Sequence, residues 1–387
     1  MKQIFPTRFA FLAVVLGAAL AWHFGAASAT AQPADGASPA DGASPADGAS
    51  PADGASPADG AQPADGASPA ELLKQAHRAT AAAKSDDELS EVIRLCRQAL
   101  DGGAKEKDAA YARQLQSWAF DHRGELRAAA GDADAALADF EQAVSLDGTR
   151  WRAIHNRGVS HAQAARYERA EADFDRAIQL KPDYAHAWFN RGEARYARGN
   201  LAAAIKDYDQ ALRLAPNDTM VLVSRGNARF RRGELRTALA DLSAAVRRDA
   251  NNAAALTCRA EVQAALGNYQ AAADDFRKAH FLDPKNGRCR QSVAWLMATC
   301  PDGRFRNPKL AVEAALEAIE RDGASDHRYL DTLAAAYAAD GQFKLAAETQ
   351  AKTIATAQAN KEPSGVVDPL AARLELYKQG KSYRPSR

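Results

Sequence analysis

The chain of 387 residues repeats itself every 34 residues over its central part. Five units follow one another without a gap over residues 117–286. Their pattern is most complete in the third unit, residues 185–218, where offsets 4, 8, 15, 17, 20, 24, 27 and 32 hold Trp188, Gly192, Gly199, Leu201, Ala204, Tyr208, Ala211 and Pro216. A unit this short cannot bury its own apolar face, so neighbouring units have to stack on one another. The period therefore predicts an array of stacked units rather than one globular core.

The residue types at these offsets predict two antiparallel helices in each unit. Only 7% of the chain is aromatic, while alanine, leucine and charged residues, which favour helices, dominate it. Glycine near offset 15 ends the first helix, and proline at offset 32 ends the second. Small residues at offsets 8 and 20 let the two helices cross closely, and bulky residues at offsets 4 and 24 fill the space beside the crossing.

Together these residues resemble the tetratricopeptide repeat. The resemblance implies an all-α fold, a right-handed superhelical solenoid of antiparallel helix pairs that ends in a capping helix. It also implies that proteins or peptides bind on a concave face formed by the first helices. We therefore expect a non-catalytic binding scaffold. The alternative is a structural spacer that associates with itself through the ends of the solenoid.

The sequence on either side of the five units is interpreted as divergent repeats. We expect a degenerate helical repeat and an extended helix over residues 71–116, two divergent units over 287–360, and a capping helix with a tail over 361–387. The segments VAWLMATCPDGRFRNP and RLELYKQGKSYR resemble those of exported bacterial repeat proteins. This resemblance favours an exported location and implies no catalytic role.

Arginine at offset 7 and aspartate at offset 23 accompany each other in all five units. The pairs are Arg123 with Asp139, Arg157 with Asp173, Arg191 with Asp207, Arg225 with Asp241, and Arg259 with Asp275. The two offsets lie on opposite helices of one hairpin, which predicts a bidentate ion pair inside each unit. Because the arginines are so strictly coupled to aspartates, we favour a structural role over a row of ligand-binding arginines.

The resemblance places the partner-binding positions at offsets 2, 5, 6, 9 and 12 of the first helices. Candidate binding residues at these offsets are His155, Asn156, His186, Phe189, Asn190, Glu193, Tyr196, Ser224, Asn227 and Phe230. Packing does not demand aromatic rings at exposed positions, so Phe189, Tyr196 and Phe230 suggest a recognition groove. The same rings could instead pack against neighbouring repeats, and the sequence leaves both readings open. The basic residues of the well-known carboxylate clamp are missing.

The N-terminal sequence predicts export. A short basic start, an apolar run over residues 9–20 and two A-x-A patterns over residues 27–31 are typical of a signal peptide spanning residues 1–31. A PADGAS repeat with regular proline and glycine follows, and it predicts a disordered linker over residues 32–70. We expect a periplasmic or secreted protein. The alternative is an uncleaved N-terminus that tethers the protein to the membrane.

Other functional classes lack support in the sequence. The net charge is +1 and no basic run is present, which argues against nucleic-acid binding. His155 and His186 have no obvious third metal ligand, and no phosphate loop or nucleophile motif occurs. The four cysteines show no CxxC spacing and are interpreted as small buried side chains. We expect no enzyme activity, no metal or other cofactor and no small-molecule substrate.

Overall fold

The computed structural model describes residues 67–323 and 325–385. The predicted signal peptide and nearly all of the predicted linker lie outside these described residues. Within them the chain forms 17 α-helices and one short 3-10 helix, and no strand. The described residues fall into two compact units, the N-terminal unit (residues 67–198) and the C-terminal unit (residues 199–385).

The N-terminal unit contains seven helices joined by short turns. They are α1 (Pro69–Thr80), α2 (Asp86–Asp101), α3 (Glu106–Ala129), α4 (Ala133–Leu146), α5 (Trp151–Gln163), α6 (Tyr167–Leu180) and α7 (Ala185–Ala197). Consecutive helices pack as hairpins, and the first helices α3, α5 and α7 belong to successive repeats. The long helix predicted from residue 106 is α3, and its buried Leu115 and Phe120 pack with Leu72 and Leu89 of the first hairpin.

Helix α1 begins at Pro69, two residues before the predicted start of the folded region. Ser68 accepts a hydrogen bond from the Glu71 backbone N–H, and the Glu71 carboxylate accepts one from the Ser68 N–H. This capping box, with proline in the first helical position, is a strong helix start. The last serine and proline of the hexapeptide tract therefore belong to the folded region and not to the linker.

The C-terminal unit contains ten helices. They are α8 (Leu201–Leu214), α9 (Thr219–Arg231), α10 (Leu235–Arg248), α11 (Ala253–Ala265), α12 (Tyr269–Leu282), α13 (Gly287–Thr299), α14 (Pro308–Asp322), α15 (His327–Ala339), α16 (Phe343–Ala359) and α17 (Ser364–Lys378). Four hairpins run from α9 to α16, and α17 packs against α16 as the last helix. Leu370 and Tyr377 of α17 are buried, as a capping helix requires. No helix among the described residues is long and apolar enough to cross a membrane.

Glycine at offset 8 is explained by the bulky residue at offset 24 of the same hairpin. A Cβ atom added to Gly124 would lie 2.6 Å from the ring of Phe140, and one added to Gly226 would lie 2.7 Å from Leu242. Both partners are buried, so they have little room to move. The helices of a hairpin approach so closely because this position lacks a side chain.

Candidate protein-binding face

Four of the five predicted arginine–aspartate pairs lie entirely within the N-terminal or the C-terminal compact unit. Each of these four is a bidentate ion pair in the structure. The shortest guanidinium–carboxylate distances are 2.7 Å for Arg123–Asp139, 2.6 Å for Arg157–Asp173, 2.6 Å for Arg225–Asp241 and 2.7 Å for Arg259–Asp275. All four carboxylates belong to buried residues. Arg191 and Asp207, the fifth pair, belong to one 34-residue repeat but to different compact units, and their pairing stays a prediction.

Some of these arginines also bind the preceding repeat. Arg225 donates to Asp209 at 2.7 Å, and Arg191 donates to Asp175 at 2.6 Å. Asp175 and Asp209 share offset 25, a regularity that the sequence analysis missed although it was visible. The arginines therefore hold repeats to each other as well as closing their own hairpins. With their charges matched by aspartates, they form part of the framework.

The ten candidate binding residues divide by exposure. His155, Phe189, Asn190 and Glu193 are buried, while Asn156, His186, Tyr196, Ser224, Asn227 and Phe230 are partly exposed. Of the three rings suggested for a recognition groove, Phe189 is buried, with an exposed fraction of 5%. Phe230 packs against the cluster that contains Leu242 and Val262 of neighbouring helices. Its ring contributes to packing between repeats, one of the two readings that the sequence left open.

His155 and Asn190 hold each other in place on the first helices α5 and α7. The Asn190 side-chain amide donates to Nε2 of His155 at 2.9 Å, so His155 Nδ1 carries the proton and faces Asn156 Oδ1 at 3.4 Å. The ring of Tyr184 stands edge-on to His155, with 5.0 Å between centroids. These buried groups orient Asn156 and Tyr184, which are partly exposed.

The polar centre of this face, here called the Asp121 cluster, consists of Asp121, Glu125, Arg152 and Asn156. The Asn156 side-chain amide donates to Asp121 Oδ1 at 3.2 Å and to Glu125 Oε1 at 3.1 Å. Asp121 is fully buried, and its Oδ2 has no hydrogen-bond partner. Burial, together with the nearby Glu125 carboxylate, raises the pKa of Asp121 to about 7.

Arg152, the cationic member of this cluster, has no bidentate partner. Its guanidinium lies 5.0 Å from the centroid of the Trp151 ring, and its Nε is buried with no hydrogen-bond partner. A planar guanidinium that rests on an aromatic face keeps its hydrogen-bonding fork available. Asp121 Oδ2 and Arg152 Nε are thus buried atoms without a hydrogen-bond partner, while the Arg152 and Asn156 side chains are partly exposed.

Aromatic rings border the Asp121 cluster on both sides. Trp118 and His122 of α3 stack with 4.2 Å between ring centroids. On the other side Tyr184 lies 4.7 Å from Trp151 and 5.3 Å from His186. Burial raises the pKa of Tyr184 to about 12 and lowers that of His122, so both are neutral near pH 7. All five rings are partly exposed.

Sequence reasoning missed the half of this face that α3 contributes. Trp118, Asp121, His122 and Glu125 stand at offsets 2, 5, 6 and 9 of the first regular unit, residues 117–150. The same offsets had been examined only from the second unit onward. Applying them to the first unit would have found all four residues.

The C-terminal unit has a similar set of residues in the same register, but there they neutralise one another. Glu261 accepts from Arg288 at 3.1 and 2.7 Å and from the Ser292 hydroxyl at 2.7 Å. Although burial opposes it, the Arg288 guanidinium lowers the pKa of Glu261. The corresponding residues of the N-terminal unit are Glu125, Arg152 and Asn156. In the N-terminal unit the Glu125 carboxylate accepts a hydrogen bond from the Asn156 amide instead of from Arg152.

The described residues offer little for metal or thiol chemistry. Among residues 67–323 and 325–385 no group of three or more His, Cys, Asp or Glu side chains could hold a metal ion. All four cysteines are buried free thiols, and burial raises the pKa of Cys258 to about 11. A thiol with so high a pKa is a poor nucleophile near neutral pH.

Comparison with known proteins supports the repeat assignment. One tetratricopeptide-repeat family profile matches residues 158–225, and a second matches residues 122–185 and 223–287. A search of curated proteins found no match.

Among solved structures, the APC/C hetero-tetramer Cut9–Hcn1 is similar with a TM-score of 0.50 and 14% identity, over 68% of this chain and 55% of that one. The TPR protein YrrB, described as having an unusual peptide-binding site, is similar with a TM-score of 0.41 and 20% identity. The match covers 48% of this chain and 97% of that one. Yeast Tom70 is similar with a TM-score of 0.43 and 16% identity, over 81% of this chain and 65% of that one.

These matches and the paired helices establish an all-α solenoid of tetratricopeptide repeats. Families with this fold generally serve as non-catalytic scaffolds for protein–protein interaction. From their 34-residue helix pairs, the profile matches and the fold, residues 122–287 of this chain are tetratricopeptide repeats.

Proposed function

We propose that this protein is a non-catalytic scaffold that holds a segment of a partner protein on the first helices α3, α5 and α7 of its N-terminal unit. The observation that carries the proposal is the Asp121 cluster. Its Asp121 Oδ2 and Arg152 Nε have no hydrogen-bond partner, although both atoms are buried. Buried polar atoms normally have partners, and leaving one unpaired costs about 1–3 kcal/mol. Asp121 itself is fully buried, so a ligand reaches this cluster through the partly exposed side chains of Arg152 and Asn156.

The surroundings of the cluster suit a peptide. Trp118 with His122, and Tyr184 with His186, provide partly exposed rings on either side of a polar centre. Aromatic anchors around desolvated polar groups are the composition of binding hot spots. A peptide can place apolar side chains on such rings and backbone amides or polar side chains between them. We infer that the rings supply affinity and that the Asp121 cluster supplies selectivity.

The experiment that tests this proposal is site-specific photocrosslinking in the native host. A photoreactive residue replaces His186, which borders the cluster, in the full-length protein. The matched control places it at Gln179, an exposed position on the second helix α6. We expect a discrete adduct from position 186 and none from position 179, and loss of that adduct when Arg152→Ala is added.

Two outcomes would contradict the proposed face. Equal adducts from both positions would indicate nonspecific contact. An adduct with twice the mass of the protein, formed at position 186 and unaffected by Arg152→Ala, would instead favour the self-associating spacer. Circular dichroism of each variant verifies that the helices remain folded.

We further propose that the scaffold acts outside the cytoplasm, in the periplasm or as a secreted protein. The support is the pattern of residues 1–31, with its basic start, apolar run and small residues before a cleavage site. A fusion of residues 1–70 to a reporter enzyme that is active only after export tests this location. The matched control inserts two lysines into the apolar run, which should abolish the reporter signal; an unchanged signal would refute the proposal.

A further inference from the structure

The C-terminal tail, residues 381–385, returns to the first helices of the C-terminal unit after α17 ends. The Ser382 hydroxyl donates to Ala338 O at 2.7 Å, and Arg384 Nη1 donates to Ala298 O at 2.9 Å. The ring of Tyr383 lies 5.9 Å from that of Trp295. Three consecutive residues, 382–384, therefore reach helices α13 and α15, which precede them by more than 40 residues in sequence.

These contacts fall on positions at which tetratricopeptide repeats are expected to receive a partner. Trp295 and Ala298 stand at offsets 9 and 12 of the unit that begins at residue 287, and Ala338 stands at offset 12 of the unit that begins at residue 327. The tail thus lies on the first-helix side of its own repeats.

The surface beneath the tail is held together independently of the tail. Arg373 donates to both oxygens of Asp331, at 2.9 and 2.8 Å. Its guanidinium lies 5.6 Å from the centroid of the Trp295 ring and 5.3 Å from that of Tyr383. Because Asp331 fixes Arg373 on Trp295, an aromatic side chain finds the cation and the indole already in place.

The tail itself is held mainly by side chains, and the Tyr383 ring packs against the cluster that contains Ala338 and Tyr377. The tail's last backbone hydrogen bond among the described residues is from Lys381 N–H to Leu376 O, and side chains make the contacts beyond it. Arg384 is exposed and shares the end of α13 with Arg306, which donates to Cys300 O and Pro301 O. The carbonyls at a helix C-terminus attract cations, but two neighbouring guanidinium groups repel each other. Such a segment can be exchanged for another with the same groups.

We propose that residues 381–385 are an intramolecular ligand that covers a second peptide-binding surface, formed by Trp295, Arg373 and the C-terminal ends of α13 and α15. The occupant that competes with the tail is a peptide segment with an aromatic residue followed by arginine. This surface lies in the C-terminal unit, so the inference does not depend on the function proposed for the Asp121 cluster.

The test measures binding of a fluorescein-labelled peptide with the sequence of residues 379–385, QGKSYRP, by fluorescence anisotropy. The full-length protein is compared with its Tyr383→Ala/Arg384→Ala variant, in which the tail can no longer compete. We expect the variant to bind the peptide at least tenfold more tightly than the wild type. Adding Trp295→Ala to the variant should remove that binding, and the control peptide QGKSAAP should bind neither protein.

Several results would overturn the proposal. Equal binding by wild type and variant would mean that the tail covers nothing, and no binding by a folded variant would mean that the surface takes no peptide. If the double variant loses helix content, the single variant Arg384→Gln, which retains the Tyr383 ring, replaces it in the assay. Loss of helix content in that variant as well would make the tail a structural clamp.

Discussion

Asp121 shows how one buried carboxyl group can couple the stability of the fold to pH. Its pKa is raised to about 7 in the folded protein, chiefly by burial and then by the Glu125 carboxylate. The ordinary value is 3.8, which applies in the unfolded chain. Between pH 4 and pH 7 the folded state therefore binds a proton that the unfolded state lacks. This group destabilises the fold above pH 7, and the destabilisation fades as the pH falls toward 4.

We predict that Asp121→Asn raises the melting temperature more at pH 8 than at pH 5, because part of the destabilisation is already relieved at the lower pH. The neutral amide avoids the free-energy cost of a buried charge. That cost is on the order of a few kcal/mol, which corresponds to a change of several degrees in the melting temperature for a chain of this size. Thermal unfolding followed by circular dichroism at both pH values measures the effect. The control is Asp134→Asn on the exposed start of α4, where we expect no such pH dependence. An equal shift for Asp121→Asn at both pH values would contradict the assignment.

Ala165 has a left-handed backbone conformation at an offset where other repeats carry glycine. Its φ is +54°, and the glycines at the same offset, Gly131, Gly233 and Gly267, have φ of +85°, +78° and +82°. The left-handed conformation costs a residue with a Cβ atom about 1–2 kcal/mol. Only part of that cost is offset by the greater freedom that glycine has in the unfolded chain.

We therefore predict that Ala165→Gly stabilises the protein by about 0.5–1 kcal/mol. The matched control is Ala164→Gly one residue earlier, where φ is −81° and both residues are exposed. There the same substitution should destabilise by about 0.5–1 kcal/mol, because glycine gains no conformational relief. Thermal or urea unfolding measures both. If both variants change the free energy of unfolding in the same direction, the backbone strain inferred at residue 165 is refuted.

At the scale of the element, the arginine–aspartate pair is the bond that closes each helix hairpin. Arg157 of α5 binds both oxygens of Asp173 on α6, at 2.9 and 2.6 Å. Asp173 is buried, so removing the arginine alone would leave its carboxylate without its main partner. Breaking a buried pair on one side generally costs more than replacing both members.

We predict that Arg157→Met lowers the free energy of unfolding by about 2–4 kcal/mol, since it strands a buried charge. The double variant Arg157→Met/Asp173→Ala should be more stable than the single variant by about 1 kcal/mol or more. Arg277→Met, in a pair whose side chains are 74% and 52% exposed, serves as the control and should change stability by less than about 0.5 kcal/mol. If the double variant is the least stable, the pair does not act as a unit.

At the scale of the whole molecule, the chain is expected to leave the cytoplasm before it functions. Residues 1–31 carry the export pattern, and the repeats supply the folded scaffold. We predict that protein recovered from the native host lacks residues 1–29 or 1–31 and therefore begins at Thr30 or Gln32. Intact-mass spectrometry of that protein tests the prediction. An unprocessed chain found in the membrane fraction would favour the tethered alternative.

The sequence by itself determined the helix pairs and their boundaries. The 34-residue period, glycine at offset 15 and proline at offset 32 act over a few residues, and local rules of this kind are readable without tertiary information. Offsets 7 and 23 were equally readable, because one tight hairpin brings them together. Four pairs of this kind, including Arg123–Asp139 and Arg259–Asp275, are close in the structure. The predicted linker bound of residue 70 overlaps the helix that begins at Pro69, because a linker repeat ends in residues that also cap a helix.

Only the tertiary structure decided which of the face positions are open. Phe189 and His155 stand at offset 5 and are buried, as is Thr257, whereas Val223 at the same offset is partly exposed. Exposure at one offset differs between repeats because it depends on the size and direction of neighbouring side chains. Whether Asp121 Oδ2 has a hydrogen-bond partner depends in the same way on which groups the Asn156 and Arg152 side chains contact. Arg384 meets Ala298 across 86 residues of sequence. No local rule predicts such a contact, since it arises only after the helices between have stacked.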